Sequence, residues 1–157
     1  MDFVVVNRAS PLQFVVVFRH AESSVDVSPR PSGGIASIQV NYLQLEIDDE
    51  GTVLYAWGLF NDPTTWVETT SRPPNSVRAT LVASVPRPII PGVSRQLNED
   101  VWQAYVNRQQ GWICLGKSRT SQCCRAIEFA PSSVAILEGS ELVAVWLRPV
   151  SLPKDSA

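Results

Sequence analysis

The residue this sequence has least of, among those that commonly move protons, is histidine. His20 is the only one. A lone imidazole excludes any site that needs two. Cysteine is scarce as well: there are three, an odd number, and Cys123 and Cys124 are adjacent. That arrangement is no disulfide framework, so a reducing, cytoplasmic compartment is expected. Positive charge is not in excess either. Lysine plus arginine number 13 against 15 acids, a net charge of −2. Little in that balance draws a phosphate backbone, and nucleic acid is not an expected ligand. No apolar run approaches the roughly 20 residues of a membrane helix. Residues 1–8 carry only a short valine run behind Asp2, which does not read as a secretory signal.

What is present is ordinary globular material rich in β signals. Apolar residues make up 45% and charged residues 18% of 157 residues. That excludes the composition of disorder. A chain of this length buries roughly 68–70% of its unfolded surface without needing a staple. Residues 1–150 therefore read as one domain, and residues 151–157 as a loose C-terminal tail.

Residues 12–18 form an apolar run of strand length. Residues 38–42 alternate apolar and polar, and residues 43–47 alternate in the opposite phase. A slip of one residue inside a period-2 pattern predicts a β-bulge. Asp48, Asp49, Glu50 and Gly51 supply turn chemistry, and residues 52–60 continue as the partner strand. Residues 66–70 are short and extended. Residues 77–85 alternate as one half-buried strand. Residues 112–115, 125–129, 134–137 and 142–147 read as strands, with Gly139 and Ser140 turning between the last two.

Residues 98–110 predict a helix. Asn98 can cap it, Glu99 and Asp100 suit its positive end, and Val101, Trp102, Tyr105 and Val106 fall on one face. Gly111 would end it. The expected fold is mainly β (α+β): an antiparallel β-sandwich or open barrel of about eight strands with one packed α-helix.

The sharpest motif is Phe18-Arg19-His20-Ala21-Glu22, directly after an apolar strand. It resembles the opening signature of the histidine phosphatase and phosphoglycerate mutase superfamily. That resemblance implies His20 as phosphoryl acceptor, Arg19 as phosphate clamp and Glu22 as their neighbour. It covers about eight residues. The second histidine of that family's pocket is missing here, and so is its alternating strand–helix order.

Other constellations are thinner. Cys114, Cys123, Cys124 and His20 lack the paired knuckles of structural zinc, so no metal or cofactor is expected. Adjacent cysteines on a strand point to opposite faces, which predicts one buried and one near the surface. Arg125 stands beside Cys124, but the thiols have no evident base. The acids 48–50 and 99–100 read as a turn and a helix start, not as a glycosidase pair.

Trp57, Trp102 and Trp146 are expected in the core. Trp66, beside polar Thr64, Thr65 and Glu68, is expected to be exposed. With Thr65 and Asp62 it forms the expected partner-binding point. The functional expectation is a non-catalytic intracellular protein-binding domain, with toxin-neutralising immunity proteins as one class of that profile. The alternatives are a β-barrel that holds a small ligand or a carbohydrate, and a histidine-phosphatase-like enzyme using Arg19 and His20.

Overall fold

The computed structural model describes residues 1–152. Strands follow one another along it: β1 (Phe3–Val6), β2 (Val15–Arg19), β3 (Ser24–Ser28), β4 (Ala36–Val40), β5 (Leu43–Ile47), β6 (Val53–Leu59), β7 (Val67–Glu68) and β8 (Val77–Arg78). Then come β9 (Thr80–Ala83), β10 (Ser94–Gln96), β11 (Ala104–Asn107), β12 (Trp112–Gly116), β13 (Arg125–Ala130), β14 (Ser133–Glu138) and β15 (Glu141–Leu147).

They form two large sheets and a ribbon. One sheet runs β10-β4-β5-β6-β3-β2 and the other β7-β11-β12-β15-β14-β13-β8. Neither closes on itself, so the molecule is an open all-β structure and not a barrel. The ribbon pairs β1 with β9, antiparallel, from Phe3↔Ala83 to Val6↔Thr80.

Alternation decides which face each strand buries. Val16 and Phe18 of β2, Leu43, Leu45 and Ile47 of β5, and Ile113 and Leu115 of β12 all enter one continuous core shared by both sheets. Strands β14 and β15 are buried along almost their whole length. Their other face carries a second cluster of Val134, Ile136, Ala144 and Trp146 with Cys114 of β12. A strand covered on both faces has no polar side to show, which explains the unbroken apolar reading of residues 142–147. Each fully buried aliphatic or aromatic side chain here contributes roughly 1.5–3 kcal/mol.

Several expectations need correction. Among the described residues there is no α-helix; the sole helical element is a 3₁₀ turn, Pro63–Thr65. Residues 98–103 are a loop, and β11 follows as an alternating strand with Ala104 and Val106 buried. Its ladder to β12, from Ala104↔Leu115 to Asn107↔Trp112, satisfies the backbone across sequence and overrides the local helical spacing. Gly111 is a hairpin residue at φ +81, and its N–H donates to Asn107 O at 2.9 Å.

The phase slip at residues 42–43 is not a bulge but a two-residue turn. Asn41 and Tyr42 join β4 to β5, whose register runs from Ala36↔Ile47 to Val40↔Leu43. Asn41 takes the turn's left-handed position at φ +52, which asparagine tolerates better than most residues. The single strand expected over 77–85 is divided at Ala79. Strand β8 pairs with β13 in the seven-stranded sheet, while β9 pairs with β1.

At the C-terminal end, Val150 N–H donates to Val16 O at 2.9 Å, and Leu152 packs against the main core. The rest of the expected tail, residues 153–157, lies outside the described residues.

Candidate functional site

Strand β2 ends at Arg19, and residues 20–23 turn the chain into β3. Arg19, the last strand residue, and His20, the first of the turn, meet different neighbours. His20 is exposed and lies edge-on to Phe18, ring centroids 5.6 Å apart. Arg19 turns to Asp26, Nη2 to Oδ2 3.6 Å. Glu22 accepts from Ser24 Oγ at 3.2 Å. Of the residues implied by the phosphatase resemblance, Arg19 and Glu22 line one recess, and His20 is not part of that lining.

The segment 61–66 behaves differently from the expectation for Trp66. This indole is buried, with 9% of its surface accessible. It meets Phe18 and Phe60 edge-on at 5.4 and 5.5 Å, and its Nε1 donates to Asn61 O at 2.7 Å. Of the polar neighbours that made it look exposed, Thr64 and Thr65 lie on the 3₁₀ turn and Glu68 on β7. Asp62 caps that turn, its Oδ1 accepting from Thr64 N and Thr64 Oγ1, each at 2.9 Å. Both bonds hold the Asp62 carboxyl below its ordinary value, the backbone bond most. Asp62 and Thr65 themselves are exposed.

Glu22, Asp62 and Thr65, three residues singled out on sequence for two unrelated reasons, line one groove of about 580 Å³. The loop 98–101 forms another part of its lining, with Glu99, Asp100 and Val101. Tyr42 and Leu59 add apolar surface. Tyr42 is 68%, Leu59 52% and Val101 88% exposed. Among the described residues the lining has four carboxylates, Glu22, Asp62, Glu99 and Asp100, and no lysine or arginine.

An amide clasp fixes the walls. Asn41 Nδ2 donates to Trp102 O at 2.9 Å and to Asn61 Oδ1 at 3.0 Å, while Trp102 N–H donates to Asn41 Oδ1 at 2.9 Å. Asn61 Nδ2 donates to Trp102 O at 3.1 Å. Asn41 thus pairs with the Trp102 peptide through both ends of its amide, as a neighbouring strand would. Ser23 Oγ donates to Asn61 O at 3.2 Å and brings in the 20–23 turn. The β4–β5 turn, the 60–66 segment and the 98–103 loop are tied at one point.

Sequence reasoning missed Asn41, Asn61, Tyr42 and Leu59. The signal available was the phase flip at residues 42–43, which places an asparagine at a hairpin tip.

The outer face of the six-stranded sheet holds a second recess, of about 420 Å³, lined in part by Arg19, Asp26, Arg30 and Trp57, and it shares Glu22, Tyr42 and Leu59 with the groove. The arginine and Asp26 charges of this recess are matched. Asp26 accepts from Arg30 Nη2 at 2.8 Å and faces Arg19. Burial raises the Asp26 carboxyl, but the Arg30 bond, the Val27 N–H and both guanidinium charges outweigh it, and the net shift is downward.

Trp57 is half-buried here, not in the core as expected. Its Nε1 donates to Glu46 Oε1 at 2.9 Å, and Arg30 lies over its ring at 5.4 Å. Trp102 is likewise half-buried, whereas Trp146 is fully buried.

The thiols differ in burial, and Cys124 packs against the cluster that holds Cys114. Cys114 is buried, and burial pushes its thiol far up. Cys123 is exposed and Cys124 half-buried, in the turn before β13. Among the described residues, no three His, Cys, Asp or Glu side chains are grouped so as to hold a metal ion. The acids 48–50 form the expected turn, with Asp48 Oδ1 accepting from Glu50 N and Thr52 N at 2.9 Å each. Among the described residues no helix is long and apolar enough to cross a membrane. No protein-family model matches the chain, and no curated protein matches its sequence.

Proposed function

We propose that this chain is a non-catalytic protein-binding domain and that the groove beside the Asn41 clasp is its binding face. One observation carries the reading. Tyr42, Leu59 and Val101 present apolar surface to solvent from three separate segments, and a shared hydrogen-bond network holds those segments in place. Large apolar side chains exposed together, edged by polar groups, mark interaction surfaces. A surface already held in shape avoids much of the ordering cost of association.

An intracellular protein that masks another protein works by such a preformed face. A toxin-neutralising immunity protein is the specific role of this kind that we put forward. It would bind one partner tightly and turn over nothing.

The test is quantitative affinity capture from the native cell with the full chain, its Leu59→Asp/Val101→Asp variant and a control substitution at exposed Gln109. The expected outcome is a partner recovered in near-stoichiometric amount by the parent and the control and lost with the groove variant. Circular dichroism checks that the variant is folded. Equal recovery by folded parent and variant refutes the assignment.

A further inference from the structure

We infer that the occupant of this groove is a cationic segment of another protein, one that sets lysine or arginine side chains beside an apolar side chain. The inference rests on the binding role proposed above and names the chemistry of the partner.

Its first support is a local excess of negative charge in the groove lining. Elsewhere four carboxylates meet a basic partner, whereas the acids of the 48–50 turn, like those of the groove, are in no ion pair among the described residues. Asp26 faces Arg19 and Arg30, Glu68 faces Arg108, Glu128 faces Arg78 and Glu138 faces Lys117. Among the described residues Glu22, Asp62, Glu99 and Asp100 take part in no ion pair, and no basic side chain lines the groove with them; the arginines of the adjoining recess, Arg19 and Arg30, both face Asp26. Like charges gathered without a counter-charge repel one another, and a cationic partner relieves that repulsion on binding.

The second support is spacing. The four carboxylates do not form a cluster that could hold a metal ion. Separated acids match the separated charges of a polypeptide and not a single ion. The third is the apolar surface of Tyr42, Leu59 and Val101 among them, which a hydrophilic cation would leave uncovered. Anionic surfaces, whether nucleic acid or phospholipid, are repelled by the same field.

The probes are three short fluorescent peptides. One alternates arginine with leucine, one alternates glutamate with leucine, and one alternates arginine with serine. Binding to the full chain is followed by fluorescence anisotropy and by amide chemical shifts.

The arginine–leucine peptide is expected to bind and to shift the amides of Tyr42, Leu59 and Val101. The other two are expected to bind at least about tenfold more weakly. Raising salt weakens binding, because exposed charges are screened within about 10 Å at 0.1 M. The triple variant Asp62→Asn/Glu99→Gln/Asp100→Asn loses about tenfold in affinity, the sum of several modest exposed pairs. Asparagine caps the 3₁₀ turn as aspartate does, so the variant keeps its shape.

Equal binding of the glutamate peptide, unchanged affinity in the triple variant, shifts that map elsewhere, or no binding of the arginine–leucine peptide overturns the inference. A native partner captured through Leu59 and Val101 but insensitive to salt and to the triple variant leaves the binding role intact and removes only the charge assignment. Failure of both capture and peptide binding removes both.

Discussion

Replacing Asn41 by alanine is the most direct test of how this groove is built. The substitution removes two donated bonds, to Trp102 O at 2.9 Å and Asn61 Oδ1 at 3.0 Å, and the accepted bond from Trp102 N–H at 2.9 Å. Trp102 O keeps a partner in Asn61 Nδ2 at 3.1 Å. Trp102 N–H loses the acceptor that satisfies it. A half-buried donor left unmade costs about 1–3 kcal/mol. Alanine must also hold φ +52, which adds about 1–2 kcal/mol. The expected loss for Asn41→Ala is therefore about 2–5 kcal/mol.

Asn41→Gly separates the two contributions. Glycine accepts the positive φ but still leaves Trp102 N–H unpaired, and its freer unfolded chain returns up to about 1 kcal/mol of the saving. The expected order is parent, then glycine, then alanine, the last two about 1 kcal/mol apart. Urea unfolding at constant m-value measures both differences. Hydrogen exchange adds a local reading: the Trp102 amide should lose protection in both variants before the β12 ladder does. If both variants stay within about 0.5 kcal/mol of the parent, the clasp does not hold the groove.

The remaining predictions concern the core and the sheet face. Trp66→Ala should cost about 3–5 kcal/mol, because it empties a site between Phe18 and Phe60. Trp66→Phe should cost less, since it keeps the ring packing and loses the Nε1 bond to Asn61 O, which retains Ser23 Oγ. A loss below about 1 kcal/mol for the alanine variant in urea unfolding would return Trp66 to the surface.

Acid should weaken the molecule partly through Asp26. Its folded carboxyl lies below the ordinary 3.8, so its contribution is complete above 3.8 and fades as pH falls through the lower folded value. An NMR titration should place the Asp26 midpoint under 3.8, and Asp26→Asn should flatten the stability loss as pH falls below 3.8. A midpoint above 3.8 contradicts the pairing with Arg30 and Arg19.

Much of the β architecture was legible because period-2 alternation reports half-buried strands and short apolar runs report strands covered on both faces. The runs at residues 12–18, 52–60, 134–137 and 142–147 all became strands close to where they were expected. The helix over residues 98–110 was not legible. Val101, Trp102, Tyr105 and Val106 satisfy a helical spacing and, in part, a strand spacing, and a short segment cannot decide between them. The decision came from β12, whose ladder supplies the backbone bonds of β11. Trp66 was misread for a related reason. Its polar neighbours Thr64 and Thr65 belong to the capped turn, and burial of the indole depends on Phe18, far away in sequence.

Composition and alternation by themselves determined the class of this protein: an apolar, slightly acidic chain that folds into sheets, with one imidazole and scattered thiols. Tertiary structure alone decided where Glu22, Asp62, Glu99 and Asp100 would meet. They sit on three segments far apart in the chain, and the groove exists because Asn41 hydrogen-bonds across those gaps. Local pattern carries information about which face of a strand is buried. It carries none about which distant loop an amide at a hairpin tip will reach.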